Sequence, residues 1–188
     1  MILTRRVLLA AIFAGLSFGL LPVDHASAAA DQKDLVFLDT KDGRITIKLR
    51  PDLAPKHAAQ ISTLVKQGFY DGIVFHRVID GFMAQTGDPT GTGMGGSKLP
   101  NIPAEFSQEP FKRGTLGMAR SQDPNSANSQ FFICFGDARF LNGQYTVVGQ
   151  VVSGMEIVDK VKKGDPAQNG TVKNPDKIVK MQMASDAK

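Results

Sequence analysis

Two stretches concentrate the side chains with chemistry to offer. In Phe75-His76-Arg77-Val78-Ile79-Asp80-Gly81-Phe82-Met83-Ala84-Gln85-Thr86-Gly87-Asp88 a guanidinium sits among large apolar residues. Burying such a charge is costly unless its N–H groups have partners or a task. Alternation puts Arg77 and Ile79 on one face of a strand and His76 and Val78 on the other. In Asn128-Ser129-Gln130-Phe131-Phe132-Ile133-Cys134, polar residues run straight into an apolar segment. Taken alone, that segment reads as an ordinary core strand.

Other reactive types fall away. His57 and His76 have no H-x-x-x-H spacing, and one Cys offers neither a disulfide nor a zinc cluster, so no metal site is expected. Cys134, between Ile133 and Phe135, reads as a small buried hydrophobe rather than a nucleophile. No G-x-S-x-G elbow occurs, which leaves hydrolysis without machinery. Gly91-Thr92-Gly93-Met94-Gly95-Gly96 fits G-x-G-x-x-G, but Leu99-Pro100-Asn101-Ile102-Pro103 follows where a dinucleotide site needs a helix. It reads as a flexible surface loop, and no cofactor is expected. Asn169-Gly170-Thr171 formally matches a glycosylation acceptor, meaningful only on a eukaryotic secretory route.

The elements that must position these residues are mostly strands. Asp34 to Leu38 and Gly43 to Leu49 flank a Lys41-Asp42-Gly43 turn, and Ile45, Ile47 and Leu49 alternate with polar residues. Pro55 can open a helix running to about Gln67, with Ala58, Ile61, Leu64 and Val65 on one face and Gly68 as its stop. Further strands are expected over 74–78, 83–86, 115–119, 130–135, 147–152 and 177–183, with a second helix over 155–162. Residues 87–114, rich in Gly and Pro, read as loops. Seven or eight short strands with two helices suit a closed barrel better than a parallel sheet. No linker or repeat appears, so residues 31–188 are expected to form one domain.

The first residues read as an address. Arg5-Arg6 precedes an apolar run from Val7 to Leu21, then Pro22 and Ala26-Ser27-Ala28-Ala29-Ala30. That is the pattern of a secretory signal peptide, residues 1–28, with cleavage after Ala28 or Ala30. Fifteen helical residues span roughly 22 Å, short of a bilayer core of about 30 Å. A periplasmic location follows, by the general secretory route in preference to the twin-arginine one. No later segment approaches a membrane span, so no membrane association is expected after cleavage. Lys+Arg 22 against Asp+Glu 18 gives only +4, without a basic run longer than two. No nucleic-acid partner is expected from so diffuse a charge, and a monomer is expected.

Together the two stretches resemble the cyclophilin family of peptidyl-prolyl cis-trans isomerases (EC 5.2.1.8). The likeness runs from about Leu35 to Met183 and is most specific at Phe75–Asp88, Gly117-Met118-Ala119 and Ser129–Ile133. It implies a mainly β fold, a closed eight-stranded antiparallel β-barrel capped by two helices. By the same resemblance Arg77 matches the catalytic arginine. Phe82, Met83, Phe132 and Leu141 match the apolar seat for the substrate proline, and Gln85 and Gln130 the polar groups beside it. Ala119 and Arg120 match the pair whose main chain meets the peptide. Three positions depart: Arg120 stands where members often carry Asn, Phe140 where they carry Trp, and Tyr145 where many carry His. The Gln122–Ala127 loop is longer by one residue. Phe140 and Tyr145 still count among the expected substrate-binding residues, while inhibitor sensitivity and peptide preference are open to change.

The implied reaction suits these residue types. Rotation about an X–Pro bond meets a barrier of about 18–20 kcal/mol. Unaided exchange takes roughly 10–100 s. No bond is made or broken, so the task needs neither nucleophile nor metal. The twisted state returns a lone pair to the proline nitrogen, and a guanidinium placed there favours that state over the planar one. The expected role is rotation of X–Pro bonds in unfolded or exposed segments of exported proteins, as an aid to folding. A non-catalytic proline-binding chaperone using the same groove is the alternative.

Overall fold

The computed structural model describes residues 32–187, so the expected signal segment 1–28 and its cleavage sites lie outside the described residues. β1 (Leu35–Thr40) and β2 (Gly43–Leu49) form a hairpin paired from Leu35↔Lys48 to Thr40↔Gly43. Helix α1 (Pro55–Lys66) follows, with Pro at its start and His57, Ala58, Ile61, Leu64 and Val65 buried. Its N-cap, Ala54, has no polar side chain to offer. Glu105, from the long loop region, instead accepts from the N–H groups of Lys56 (3.1 Å) and His57 (3.1 Å). A carboxylate there also complements the positive end of the helix.

Then come β3 (Arg77–Ile79), β4 (Met83–Thr86), β5 (Thr115–Met118), β6 (Phe131–Cys134), β7 (Val147–Ser153), the short helix α2 (Met155–Lys160) and β8 (Lys180–Met183). All ladders are antiparallel, in the order β3-β4-β6-β5-β7-β2-β1-β8. Helix α2 ends earlier than its apolar periodicity suggests, because Val161 leaves helical backbone. Val161 and Val158 still reach the main core.

Two expectations change. β3 starts three residues later than the strand expected over 74–78, and β8 is shorter than the one expected over 177–183. The expected closed barrel is not formed, since no ladder among the described residues joins β3 to β8. The sheet is curled, with those two strands at its ends. What spans the gap is irregular: Gly72 N–H to Ile178 O (2.8 Å), Phe75 N–H to Asp176 O (2.9 Å) and Val78 N–H to Gly170 O (2.8 Å), with a lone Val74↔Lys177 bridge. The segment from 164 to 178 turns as it passes, so its partners do not fall at the fixed spacing that a ladder requires.

Strand alternation splits the interior in two. Val78, Ala84, Leu116, Met118, Phe131 and Ile133 face the main core with both helices. Met83, Phe132 and Cys134 face a smaller cluster with Phe111, Ala138, Leu141 and Val147. The functional candidates lie on that second face.

Candidate active site

The register of four strands sets one row of residues side by side. Arg77 on β3 pairs with Gln85 on β4, Gln85 with Phe132 on β6, and Phe132 with Gly117 on β5. Paired residues point to the same face, so a guanidinium, an amide and a ring are presented together. The next row on that face, Ile79, Met83 and Cys134, is apolar. Gly117 completes the row by having no side chain. A Cβ there would run into the Phe132 ring tip and come within 2.6 Å of Phe111. Phe111 stacks behind Phe132 at 5.9 Å between centroids and 20° between planes, holding the seat from below.

A cavity of about 260 Å³ opens over this row. Its walls bring together Arg77, Phe82, Met83, Gln85, Ala119, Arg120, Phe132, Phe140, Leu141 and Tyr145, which are all the expected site residues except Gln130. Met83, Phe132 and Leu141 are buried and form the floor. Phe140 is 64% exposed at the mouth, its ring 5.3 Å from that of Phe82. Tyr145 meets Phe132 edge-on at 6.0 Å. The Arg120 guanidinium lies 4.4 Å over the Tyr145 ring and donates to Gln144 O (2.9 Å) and Ser121 O (2.9 Å). The Ala119 N–H donates to Gln130 O (3.0 Å).

Arg77 is held by neutral groups. Nη1 donates to Gln85 Oε1 (3.1 Å), Nε to Asn169 O (3.0 Å) and Nη2 to Asn169 Oδ1 (3.0 Å). Of five N–H groups on a guanidinium, these bonds use three, one on each nitrogen. Burial lowers the Arg77 pKa, against a smaller opposing effect of Tyr145. Among the described residues no carboxylate forms an ion pair with Arg77.

Gln130 lies one step further out. Gln85 Nε2 donates to Gln130 Oε1 (2.8 Å), and Gln130 Nε2 donates to Gly93 O (3.0 Å) and Gly95 O (2.8 Å). Gln130 thereby lines a neighbouring cavity of about 610 Å³ that shares Gln85, Ala119 and Arg120 with the first. The Gly91–Gly96 segment, expected to be a flexible surface loop, is irregular, and its residues 93–96 form a wall of that cavity. Asp88 ties it down, accepting from Thr90 N (2.7 Å), Thr90 Oγ1 (2.8 Å) and Gly93 N (2.6 Å). Burial would raise the Asp88 carboxyl, but hydrogen bonds from Thr90, Gly95 and Gly93 outweigh it and hold the pKa at about 2.

The histidines stand apart from this chemistry. His57, in the first turn of α1, is buried with Nδ1 2.7 Å from Glu105 Oε2, and His76 is buried beside Gly93. The Cys134 thiol, fully buried, is pushed up to about 12 by that burial, in keeping with a packing role. Two contributors escaped the sequence reading. Phe111 carried no motif, and Asn169 carried the wrong one.

Residues 35–183 match the family model described as cyclophilin type peptidyl-prolyl cis-trans isomerase/CLD. The chain belongs to that family. A probable peptidyl-prolyl cis-trans isomerase of Brucella suis biovar 1 is 58% identical over 195 residues, covering 98% of each chain. A peptidyl-prolyl cis-trans isomerase of Helicobacter pylori strain J99 is 42% identical over 132 residues, covering 68% of this chain and 80% of its own. Among solved structures, the cyclophilin AquaCyp293 from Hirschia baltica superposes with a TM-score of 0.75 at 27% identity, over 90% of this chain and 83% of its own. A Cryptosporidium parvum cyclophilin type peptidyl-prolyl cis-trans isomerase, crystallised in the presence of the dipeptide Ala-Pro, gives 0.72 at 29% identity, over 79% and 98%. The fold is therefore cyclophilin-like and mainly β, and the activity is peptidyl-prolyl cis-trans isomerisation.

Proposed function

We propose that this isomerase acts in the periplasm on X–Pro bonds in unfolded or exposed segments of exported proteins, assisting their folding, with Arg77 as its catalytic group. The observation that carries the reading is the Arg77 guanidinium, oriented by neutral acceptors beside a floor of Met83, Phe132 and Leu141. A proline ring seated on that floor places its nitrogen near the two uncommitted N–H groups. As the amide twists, the nitrogen regains its lone pair and accepts from the guanidinium, a bond the planar amide cannot make. One charge-assisted bond is worth about 1.5–3 kcal/mol. A gain of roughly 10⁴–10⁵ needs about 5.5–7 kcal/mol. The rest is assigned to water exclusion and to holding the ring while the chain swings. The Ala-Pro dipeptide present with the Cryptosporidium relative supports a proline-containing ligand.

Export rests on the Arg5-Arg6 start, the apolar run and the Ala26–Ala30 close. Two measurements test the proposal. Protease-coupled exchange on a proline tetrapeptide should be accelerated, whereas a proline-binding chaperone would bind without accelerating it. Protein recovered from the periplasmic fraction should begin at Ala29 or Asp31, and intact Met1 in membranes would contradict the assignment.

A further inference from the structure

We propose that Asn169 is a positioning residue for Arg77, and that the tight turn carrying it is built to aim the guanidinium without cancelling its charge. The inference rests on the reading of Arg77 as the catalytic group. Asn169 lies 92 positions along the chain from Arg77, yet it supplies two of the three acceptors that fix the guanidinium, one from its carbonyl and one from its side chain. Both are neutral. A carboxylate at this place would hold the arginine as firmly but would offset the charge that the twisted amide is to feel.

The turn is well suited to the task. Asn169 has φ 53° and ψ 35°, the left-handed region, which Asn tolerates better than most residues. It follows a 3-10 turn, Pro166–Gln168, capped by the Asp165 side chain on Ala167 N (2.9 Å). Gly170 N–H and Gln168 N–H both return to Asp165 O (2.8 and 3.0 Å), and Thr171 N–H returns to Gln168 O (3.1 Å). The turn is then stitched to the strand that bears the arginine. Val78 N–H donates to Gly170 O (2.8 Å), Gly164 N–H to Val78 O (2.9 Å) and Val172 N–H to His76 O (3.1 Å). A Cβ on Gly170 would meet Ile79, so the two segments are in close contact. β3 is an edge of the sheet, and its outer side is covered by this turn rather than by another strand. The covering segment and the aiming group are one device.

Asn169→Gly tests it, because glycine keeps the left-handed backbone and the carbonyl acceptor while removing the side chain that carries Oδ1. Exchange rates by NMR on a proline tetrapeptide separate kcat from KM. kcat should fall about five- to twentyfold with KM changed less than about twofold, since the lost interaction serves the transition state. In an Arg77→Ala background the same substitution should change kcat/KM by less than about twofold, because its effect passes through Arg77. Circular dichroism melting confirms that each variant is folded. An equal loss in both backgrounds, a loss carried by KM, or no loss at all would overturn the proposal. If Arg77→Ala alone keeps the wild-type rate, the reading of Arg77 fails and takes this proposal with it. A crippled Arg77→Ala beside an undiminished Asn169→Gly removes this proposal only.

Discussion

The partners of Arg77 orient its guanidinium and leave its charge intact. Gln85 and Asn169 accept from it, and Gln130 holds Gln85 in the one amide orientation that lets Oε1 face the guanidinium. At the mouth, Phe140 gives ring area but no donor. Phe140→Trp adds an indole N–H, worth about 0.5–1.5 kcal/mol in a neutral hydrogen bond. Binding of cyclosporin, the cyclic peptide that inhibits many members of this family, should tighten roughly three- to tenfold. Turnover of a small peptide should change much less. Side-by-side titration of both proteins checks this, and equal or weaker binding would show that Phe140 does not face the ligand as assigned. At this scale the apolar seat and the arginine were legible, because an arginine amid Phe, Ile and Met is costly and therefore conspicuous. Asn169 was not, since its role depends on a left-handed turn and a contact across 92 positions.

The four-strand row makes an element-level demand at Gly117. Phe132 and Phe111 occupy the space where any side chain would stand. Gly117→Ala should therefore push Phe132 off the cavity floor, costing about 1–3 kcal/mol of stability. It should also raise KM for a proline peptide, because the seat itself is displaced. Urea titration and Michaelis kinetics on the same preparation would check both, and unchanged values in each would refute the packing account. Strand period and Gly/Pro punctuation located most elements, β4 with both of its ends. The segments before β3 and β8 misled for a physical reason: Val74 and Ile178 are apolar, yet Val74 has only a lone bridge to Lys177, and Ile178 bonds Gly72 and Ile73 outside any ladder. Hydrophobic pattern reports burial, and it cannot report whether the partner backbone runs straight. Tethering by Asp88 was likewise invisible in a glycine-rich run whose composition suggests freedom.

Across the whole molecule, two buried histidines set a pH response. Burial lowers the pKa of His57, opposed by Glu105, and burial also lowers that of His76, opposed chiefly by Asp88. The folded state therefore binds these protons less readily than the unfolded chain, whose histidines titrate near 6.5. Stability is full above that value and declines as pH falls below it toward the folded values. The carboxylates with lowered pKa, Asp88 and Glu105, lose their contribution only in more acid solution. The urea midpoint should thus drop between about pH 7.5 and about pH 5.5, and a flat or rising midpoint would contradict the buried-neutral assignment. The curled sheet brings the Arg77 guanidinium to a cavity floored by Met83, Phe132 and Leu141. The most direct test is protease-coupled exchange of a proline tetrapeptide with Arg77→Ala. kcat/KM should fall at least about 10²-fold while circular dichroism stays that of the folded protein, because an interaction made in the transition state is gone. A folded Arg77→Ala variant that isomerises at the wild-type rate would contradict the account.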